Sequence, residues 1–234
     1  MDVREGEVFF VDKPLHWTSF NVVDRLRWKI KKTAKIKKIK VGHAGTLDPE
    51  ATGVMIICTG KATKQIDNYQ AQTKEYIAEL KLGETTPSFD LELPVDAIYP
   101  TEHISRELID SVLLSFVGEI DQVPPIFSAV KVDGKRAYQY ARNGEEVELK
   151  SKKLVIDELE ILNFSMPLLT LRIVCSKGTY IRALARDIGY ALGSGAHLTA
   201  LERTRIGEVK IEDCWKLDDL LLHLENELKP IEEN

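Results

Sequence analysis

Asp48 stands in the run Gly42-His43-Ala44-Gly45-Thr46-Leu47-Asp48-Pro49-Glu50-Ala51-Thr52-Gly53, a carboxylate bracketed by three glycines and followed at once by proline. The glycines accept backbone angles that other residues avoid and let a bulky ligand approach the main chain, while Pro49 biases Asp48 toward extended geometry and away from helix. This is how a chain presents a reactive acid, and the chemistry on offer is that of a carboxylate nucleophile. The apolar run VMIICTG at residues 54–60 reads as a buried strand that holds the loop rigidly. The same residues also fit an ordinary tight turn whose aspartate caps its own backbone, so the rest of the chain has to decide between the two.

Four other places supply groups that such a carboxylate needs. Lys74-Glu75-Tyr76 puts an aromatic ring at the start of a predicted strand, and Lys177-Gly178-Thr179-Tyr180-Ile181-Arg182 puts a phenol and a guanidinium where a strand turns into a helix. Lys131 is a further cation, and Gly195-Ala196-His197-Leu198 reads as a second glycine-loosened loop. An arginine near Asp48 would favour its ionised form and fix its orientation. Each residue also has an ordinary reading: Tyr76 and Tyr180 as core or cross-strand rings, His43 as a loop hydrogen-bonder. Gly60-Lys61-Ala62-Thr63 prompts a phosphate-binding loop, but that motif needs glycine at position 55 and Ser or Thr at 62, where the chain has Met55 and Ala62.

The elements that must position these groups are legible as patterns. Residues 7–12 read as an opening strand, and Ser19 is expected to cap a helix in which Val22, Val23, Leu26 and Ile30 share a face. Residues 74–82 alternate as a strand, with Tyr76, Ala78 and Leu80 on one side. Residues 83–102 read as an irregular excursion; Ser105 opens a second helix carrying Leu108, Ile109, Val112, Leu113 and Phe116. Residues 135–143 read as a short helix, 146–164 and 168–176 as strands, 179–192 as a helix, and the tail from Asp218 as an acidic amphipathic helix with a frayed end. Strands and helices mix without a strict parallel alternation, so the fold class is α+β, with a mixed, largely antiparallel sheet flanked by helices.

The 234 residues can bury a full core, and no apolar stretch approaches the roughly 18 residues that span a bilayer. The N-terminal residues show no secretory pattern, which places the protein in the cytoplasm. Cys58, Cys175 and Cys214 are scattered without CxxC pairing and read as reduced packing residues, excluding a disulfide framework or a zinc site. Net charge is −5, yet nine of the 32 Lys and Arg residues and none of the 37 Asp and Glu residues fall in residues 25–40, which leaves the remainder at −14. An acidic protein with one concentrated basic stripe carries an electrostatic address for phosphates, although a solvated lysine-rich face would look the same.

The segments GHAGTLDPEATGVMIICTGKATK, KEYIAELKLG, PPIFSAVKVDGKRAYQYARNG, CSKGTYIRALARDIG and GSGAHLTALERTRIG resemble, in order, the successive motifs of the TruB family, bacterial tRNA pseudouridine synthase B. The resemblance runs from about residue 8 to residue 207. It implies the pseudouridine synthase catalytic fold in residues 1–215, with residues 216–234 as a C-terminal helix and tail. Longer family members carry a PUA RNA-binding domain at this end, so contacts far from the T loop are expected to be reduced. It further implies a monomeric enzyme that isomerises the uridine at position 55, in the T stem-loop of tRNA, without cofactor or metal.

By similarity Asp48 is the catalytic aspartate, and Tyr76 is the ring that stacks on the target base and takes a proton late. Tyr180 and Arg182 match the active-site tyrosine and the arginine that pairs with the aspartate. Leu201 matches an apolar wall, His43 the histidine that fills space vacated by the flipped nucleotide, and Lys131 falls in the third motif as a substrate-binding cation. Glu202 departs from the pattern, standing where many relatives have a basic residue, which puts a local phosphate contact in doubt.

The implied reaction explains the residue types. The base must leave the RNA stack, and an aromatic platform offsets part of the lost stacking, about 1–3 kcal/mol per base. The carboxylate then either attacks the sugar or assists removal of a sugar proton; the glycosidic bond breaks, the uracil turns and reattaches through carbon 5, and that carbon loses its proton. A glycosidase would show a second catalytic acid at matched distance. The lysine stripe would supply salt-sensitive affinity for a folded RNA. A different class, an RNA-binding or tRNA-folding module with weak or lost modification activity, accounts for the stripe equally well.

Overall fold

The computed structural model describes residues 1–231 apart from 129, 133 and 146; the expected start of a strand at Glu146 and the last three residues of the tail lie outside the described residues. Strand β1 (Val8–Lys13) alternates, burying Phe9, Val11 and Lys13. Helix α1 (Ser19–Ala34) is capped by Thr18 and not by Ser19: the Thr18 hydroxyl accepts from the Asn21 amide in a reciprocal capping box, which leaves Ser19 for another contact. Its buried face is Val22, Val23, Leu26, Ile30 and Ala34, as the spacing requires. His43, expected in a loop, instead ends a three-residue strand, β2 (Val41–His43), which pairs antiparallel with β3 (Ala51–Thr59).

A 3-10 turn over Gly60–Gln65 leads into α2 (Ile66–Ala71) and then β4 (Lys74–Leu82), whose Tyr76, Ala78 and Leu80 are buried as the alternation predicts. The irregular segment that follows holds one short ribbon, β5 (Glu84–Thr85) with β6 (Ala97–Ile98). Ser105 caps α3 (Arg106–Leu114), and β7 (Gly118–Gln122) comes next. The helix expected over 135–143 is shorter: Lys135 and Arg136 form strand β9 (Lys135–Arg136) against β8 (Lys131–Val132), and α4 covers only Ala137–Arg142. Then come β10 (Lys152–Ser165), β11 (Leu168–Cys175), α5 (Ile181–Ala191), β12 (Ala196–Ile206), β13 (Val209–Lys210), β14 (Trp215–Lys216) and α6 (Leu217–Glu227).

Gly195-Ala196-His197-Leu198 is thus not a loop. Gly193, at φ 67°, turns the chain before it, and Ala196, His197 and Leu198 are buried in β12, where Leu198 donates its amide to the Phe89 carbonyl. Burial with paired backbone overrides the local looseness of glycine.

The chain forms two units, Met1–Glu75 with Glu202–Asn234, and Tyr76–Leu201. In the first, the strand order is β14-β1-β3-β12, with β1 antiparallel to β3 and parallel to β14. Helices α1 and α6 cover one face through Leu26, Ile30, Leu220 and Leu224, packing with Phe9, Val11, Met55 and Ile57; Val54, Ile56 and Cys58 bury the other face with Ala44 and Ile206. Covering on both faces is why β3 reads as a continuous apolar run instead of an alternation. In the second unit the order is β12-β4-β11-β10-β7, with β10 antiparallel to β11 and to β7. Strands β4 and β12 carry the chain between the units, crossing at Glu75/Tyr76 and Leu201/Glu202.

Candidate active site

Residues 44–50 link β2 to β3, and the Ala51 amide closes a turn on the Asp48 carbonyl at 3.1 Å, with Pro49 in the second position that suits its fixed φ. Asp48 is partly exposed between two partly or fully buried neighbours, Pro49 and Leu47. Three side chains from three different elements hold the carbonyls around it. Arg203 of β12, 1% exposed, donates to Gly45 at 3.1 Å and to Val54 at 2.8 Å, so one guanidinium ties the two ends of the loop. Ser19, freed from capping, accepts from the Leu47 amide at 2.8 Å and donates to the Leu47 carbonyl at 2.9 Å. Lys13 donates to Trp17 at 2.6 Å, to Pro14 at 2.8 Å and, at the limit of a hydrogen bond, to Pro49 at 3.5 Å. The result is a carboxylate on a loop whose backbone is fixed at positions 45, 47, 49 and 54.

Charge is concentrated under this loop. Burial lowers the Lys13 ammonium from 10.5 to about 8, opposed chiefly by the carboxylates of Asp48 and Glu50. His43 is likewise lowered from 6.5, first by burial, with the Gly45 backbone opposing and the Arg203 charge adding to the fall; its ring is neutral at pH 7. Its Nδ1 is buried and has no hydrogen-bond partner among the described residues, a polar atom available to a ligand.

In the second unit, Tyr180 is the N-cap of α5 and Arg182 lies in its first turn. The buried Gln122 of β7 fixes Tyr180 by its backbone, accepting from the amide at 2.9 Å and donating to the carbonyl at 3.2 Å. Arg182, 5% exposed, donates to the Ser88 carbonyl at 3.1 Å and the Phe127 carbonyl at 2.9 Å, and its Nε lies 3.6 Å from an Asp90 carboxylate oxygen. A guanidinium held on several sides is a pre-oriented cation, suited to steadying a carboxylate or a developing negative charge.

The seven candidates fall as follows. Asp48 and His43 share the loop of the first unit; Tyr76, Lys131, Tyr180, Arg182 and Leu201 belong to the second. Tyr180 and Arg182 stand together at the start of α5. Tyr76 and Leu201 are the first and last residues of the second unit. Lys131 is exposed on the β8–β9 ribbon. Sequence reasoning missed Lys13, Ser19 and Arg203 beneath the loop, and Asp90, Ser88 and Gln122 around the helix start. Only Lys13 left a signal, on the inward period of β1.

The chain matches the family model described as "TruB family pseudouridylate synthase (N terminal domain)" over residues 31–181 and that described as "tRNA pseudouridylate synthase B C-terminal domain" over residues 182–233. It is 66% identical over 233 residues to the "tRNA pseudouridine synthase B" of Parabacteroides distasonis, covering 100% of this chain and 99% of that one. To the protein of the same description in Flavobacterium johnsoniae it is 53% identical, covering 90% and 92%. Among solved structures, a chain of the "Crystal Structure of a Cbf5-Nop10-Gar1 Complex" superposes with a TM-score of 0.70 at 32% identity over 94% of this chain and 54% of that one. One from the "Structure of H/ACA RNP bound to a substrate RNA containing 2'-deoxyuridine" gives 0.67 at 29% identity, covering 94% and 53%. The chain thus spans about half the length of those two solved chains.

Proposed function

The chain belongs to the TruB family of pseudouridylate synthases, and from that membership we propose that it isomerises the uridine at position 55, in the T loop of tRNA, to pseudouridine. It is a tRNA pseudouridine synthase, an isomerase with the pseudouridine synthase fold. The observation that carries the finer reading is the loop around Asp48, whose GxLDPxATG residues are held by the main chain so that the carboxylate is presented in one fixed place. Fixing a reacting group before substrate arrives removes orientational entropy from the barrier, an effect worth several kcal/mol in well-aligned systems, up to about 7–11 kcal/mol.

In this proposal the uridine turns out of the RNA stack, and Tyr76 supplies a ring for the base to lie on, with Leu201 and Tyr180 lining its site and Lys131 meeting the RNA. His43, neutral and with a free ring nitrogen, occupies the space the nucleotide leaves. Asp48 acts on the ribose, by attack or by assisting loss of a sugar proton, and Arg182 keeps the carboxylate ionised and oriented. The bond from the ribose to N1 of uracil breaks, a bond to C5 forms, and the C5 proton passes to a base, for which the Tyr76 phenol is the candidate. N1 ends protonated, so the product is an isomer and nothing is added or lost. The catalytic region is residues 1–215 with the segment 216–234 appended, acting as a monomer in the cytoplasm.

Mapping pseudouridine by chemical labelling and primer extension in an unmodified tRNA transcript incubated with the protein tests this. One new modification, at the T-loop uridine, is the expected result. Modification elsewhere would refute the assigned substrate. Tight tRNA binding with no pseudouridine formed would favour an RNA-folding module, the reading that the basic stripe alone permits.

A further inference from the structure

We propose that the outward face of helix α1 is a second RNA-binding surface, which takes the phosphate backbone of a folded tRNA outside the stem-loop that carries the target uridine. The proposal rests on the tRNA reading above and adds a contact that the catalytic residues do not require.

The orientation of α1 is set by its core. Val22, Val23, Leu26, Ile30 and Ala34 are buried, so Arg25, Trp28, Lys31, Lys32 and Lys35 must point away, and all five are exposed. Two cations on the flanks are engaged: Arg27 with Asp24 and with the Val41 carbonyl, Lys29 with Glu225 of α6. Asp24 is the only acid in α1, so the outward cations meet no carboxylate on their own helix. Lys31 and Lys35, four apart, and Lys32 and Lys35, three apart, are spaced to repel. A face that is merely solvated gains nothing from that repulsion, whereas a polyanion laid across it removes the penalty and releases counterions.

Trp28 adds shape to the charge. Its ring is 48% exposed, with the Arg25 guanidinium 5.1 Å and the Lys32 ammonium 4.9 Å from the ring centre. Two long side chains are thereby held in a row along the helix, with less freedom to lose on meeting phosphates.

Position selects the part of the RNA. The first residue of α1, Ser19, is bonded to Leu47, the neighbour of Asp48. The helix has 16 residues, about 24 Å at 1.5 Å each. Its basic end therefore lies some 20 Å or more from the catalytic loop, about six or seven steps of a duplex strand at about 3.4 Å each. Phosphates at that range do not belong to the unstacked loop nucleotide but to a more distant part of a folded substrate.

The test compares an intact tRNA transcript with its isolated T stem-loop, using wild type and the variant Arg25→Gln, Lys31→Gln, Lys32→Gln, Lys35→Gln, which keeps good helix formers and removes four charges. Circular dichroism and thermal unfolding establish that the variant is folded. For intact tRNA the expected result is an affinity lower by about tenfold or more at about 0.15 M salt, with the slope of log K against log salt shallower by about 2–4. Binding and turnover of the stem-loop should stay within about twofold. Equal losses on both RNAs overturn the proposal, because the face would then act on the stem-loop itself. Unchanged tRNA affinity also overturns it and leaves the face to a protein with an acidic surface. Wild-type protein that binds both RNAs but isomerises neither would sink the enzymatic reading instead, while the binding comparison would still decide this one.

Discussion

Arg203 is buried in β12 and spends its hydrogen bonds on Gly45 and Val54, the two ends of the loop that carries Asp48. Its task is reach: a planar fork can meet two carbonyls at once, and an ammonium on a shorter, single-pointed stem cannot. Arg203→Lys keeps the charge but releases one end of the loop. Steady-state kinetics on tRNA should show kcat lower by about ten- to a hundredfold and KM within about twofold. If the folded variant turns over at the wild-type rate, Arg203 serves stability alone. Lys13 carries a second test, through pH. Its ammonium is held at about 8 in the folded protein against 10.5 ordinarily, so between those values the unfolded chain binds more protons than the folded one. Stability then rises with pH across that window and is lowest below about 8, where the buried charge is present in full. Relative to Lys13→Met, the wild type should gain up to about 1.4 kcal/mol per pH unit between 8 and 10.5 in urea unfolding. Parallel pH profiles for the two proteins would show that Lys13 is not desolvated.

The elements that carry the candidates were readable where local chemistry dictates the backbone. Glycine and proline around Asp48 specify a turn whatever the packing, β4 alternates over its whole length, and the apolar spacing of α1 and α5 leaves one solution. The supports were not readable, because they depend on which strands become neighbours. Reading 195–198 as a loop hid the strand that brings Arg203 beside β3, and β2, with three residues and a glycine, is too short to show a period. Asp90 lies in a segment without periodicity, yet it faces Arg182. Lys13 sat on the inward alternation of β1, but a lysine there reads as a surface residue until three carbonyls are seen to receive it. Gly53 shows the contact that the sequence could not. It has φ 106°, and a methyl group there would stand 2.2 Å from the Arg203 carbonyl oxygen. Gly53→Ala should cost about 2 kcal/mol or more in denaturant unfolding, since both the left-handed backbone and the approach of β3 to β12 are disturbed. A loss below about 0.5 kcal/mol would mean that the two strands are not in such close contact.

For the molecule as a whole, the candidate residues are divided between two units, with Asp48 and His43 in one and Tyr76, Tyr180, Arg182, Leu201 and Lys131 in the other. The chain passes between the units through β4 and β12, and Tyr76 and Leu201 stand at those two passages. Charge follows its own division: an acidic protein concentrates its cations in residues 25–40, away from the loop that carries the catalytic acid. Recognition and chemistry can then be separated by mutation, which a protein that only binds RNA would not allow. Asp48 is where the separation is sharpest. Single-turnover pseudouridine formation by Asp48→Asn, measured beside its affinity for the same tRNA, should show the rate down by about a thousandfold or more and Kd within about threefold of wild type. Isomerisation at the wild-type rate by the purified variant would contradict the account.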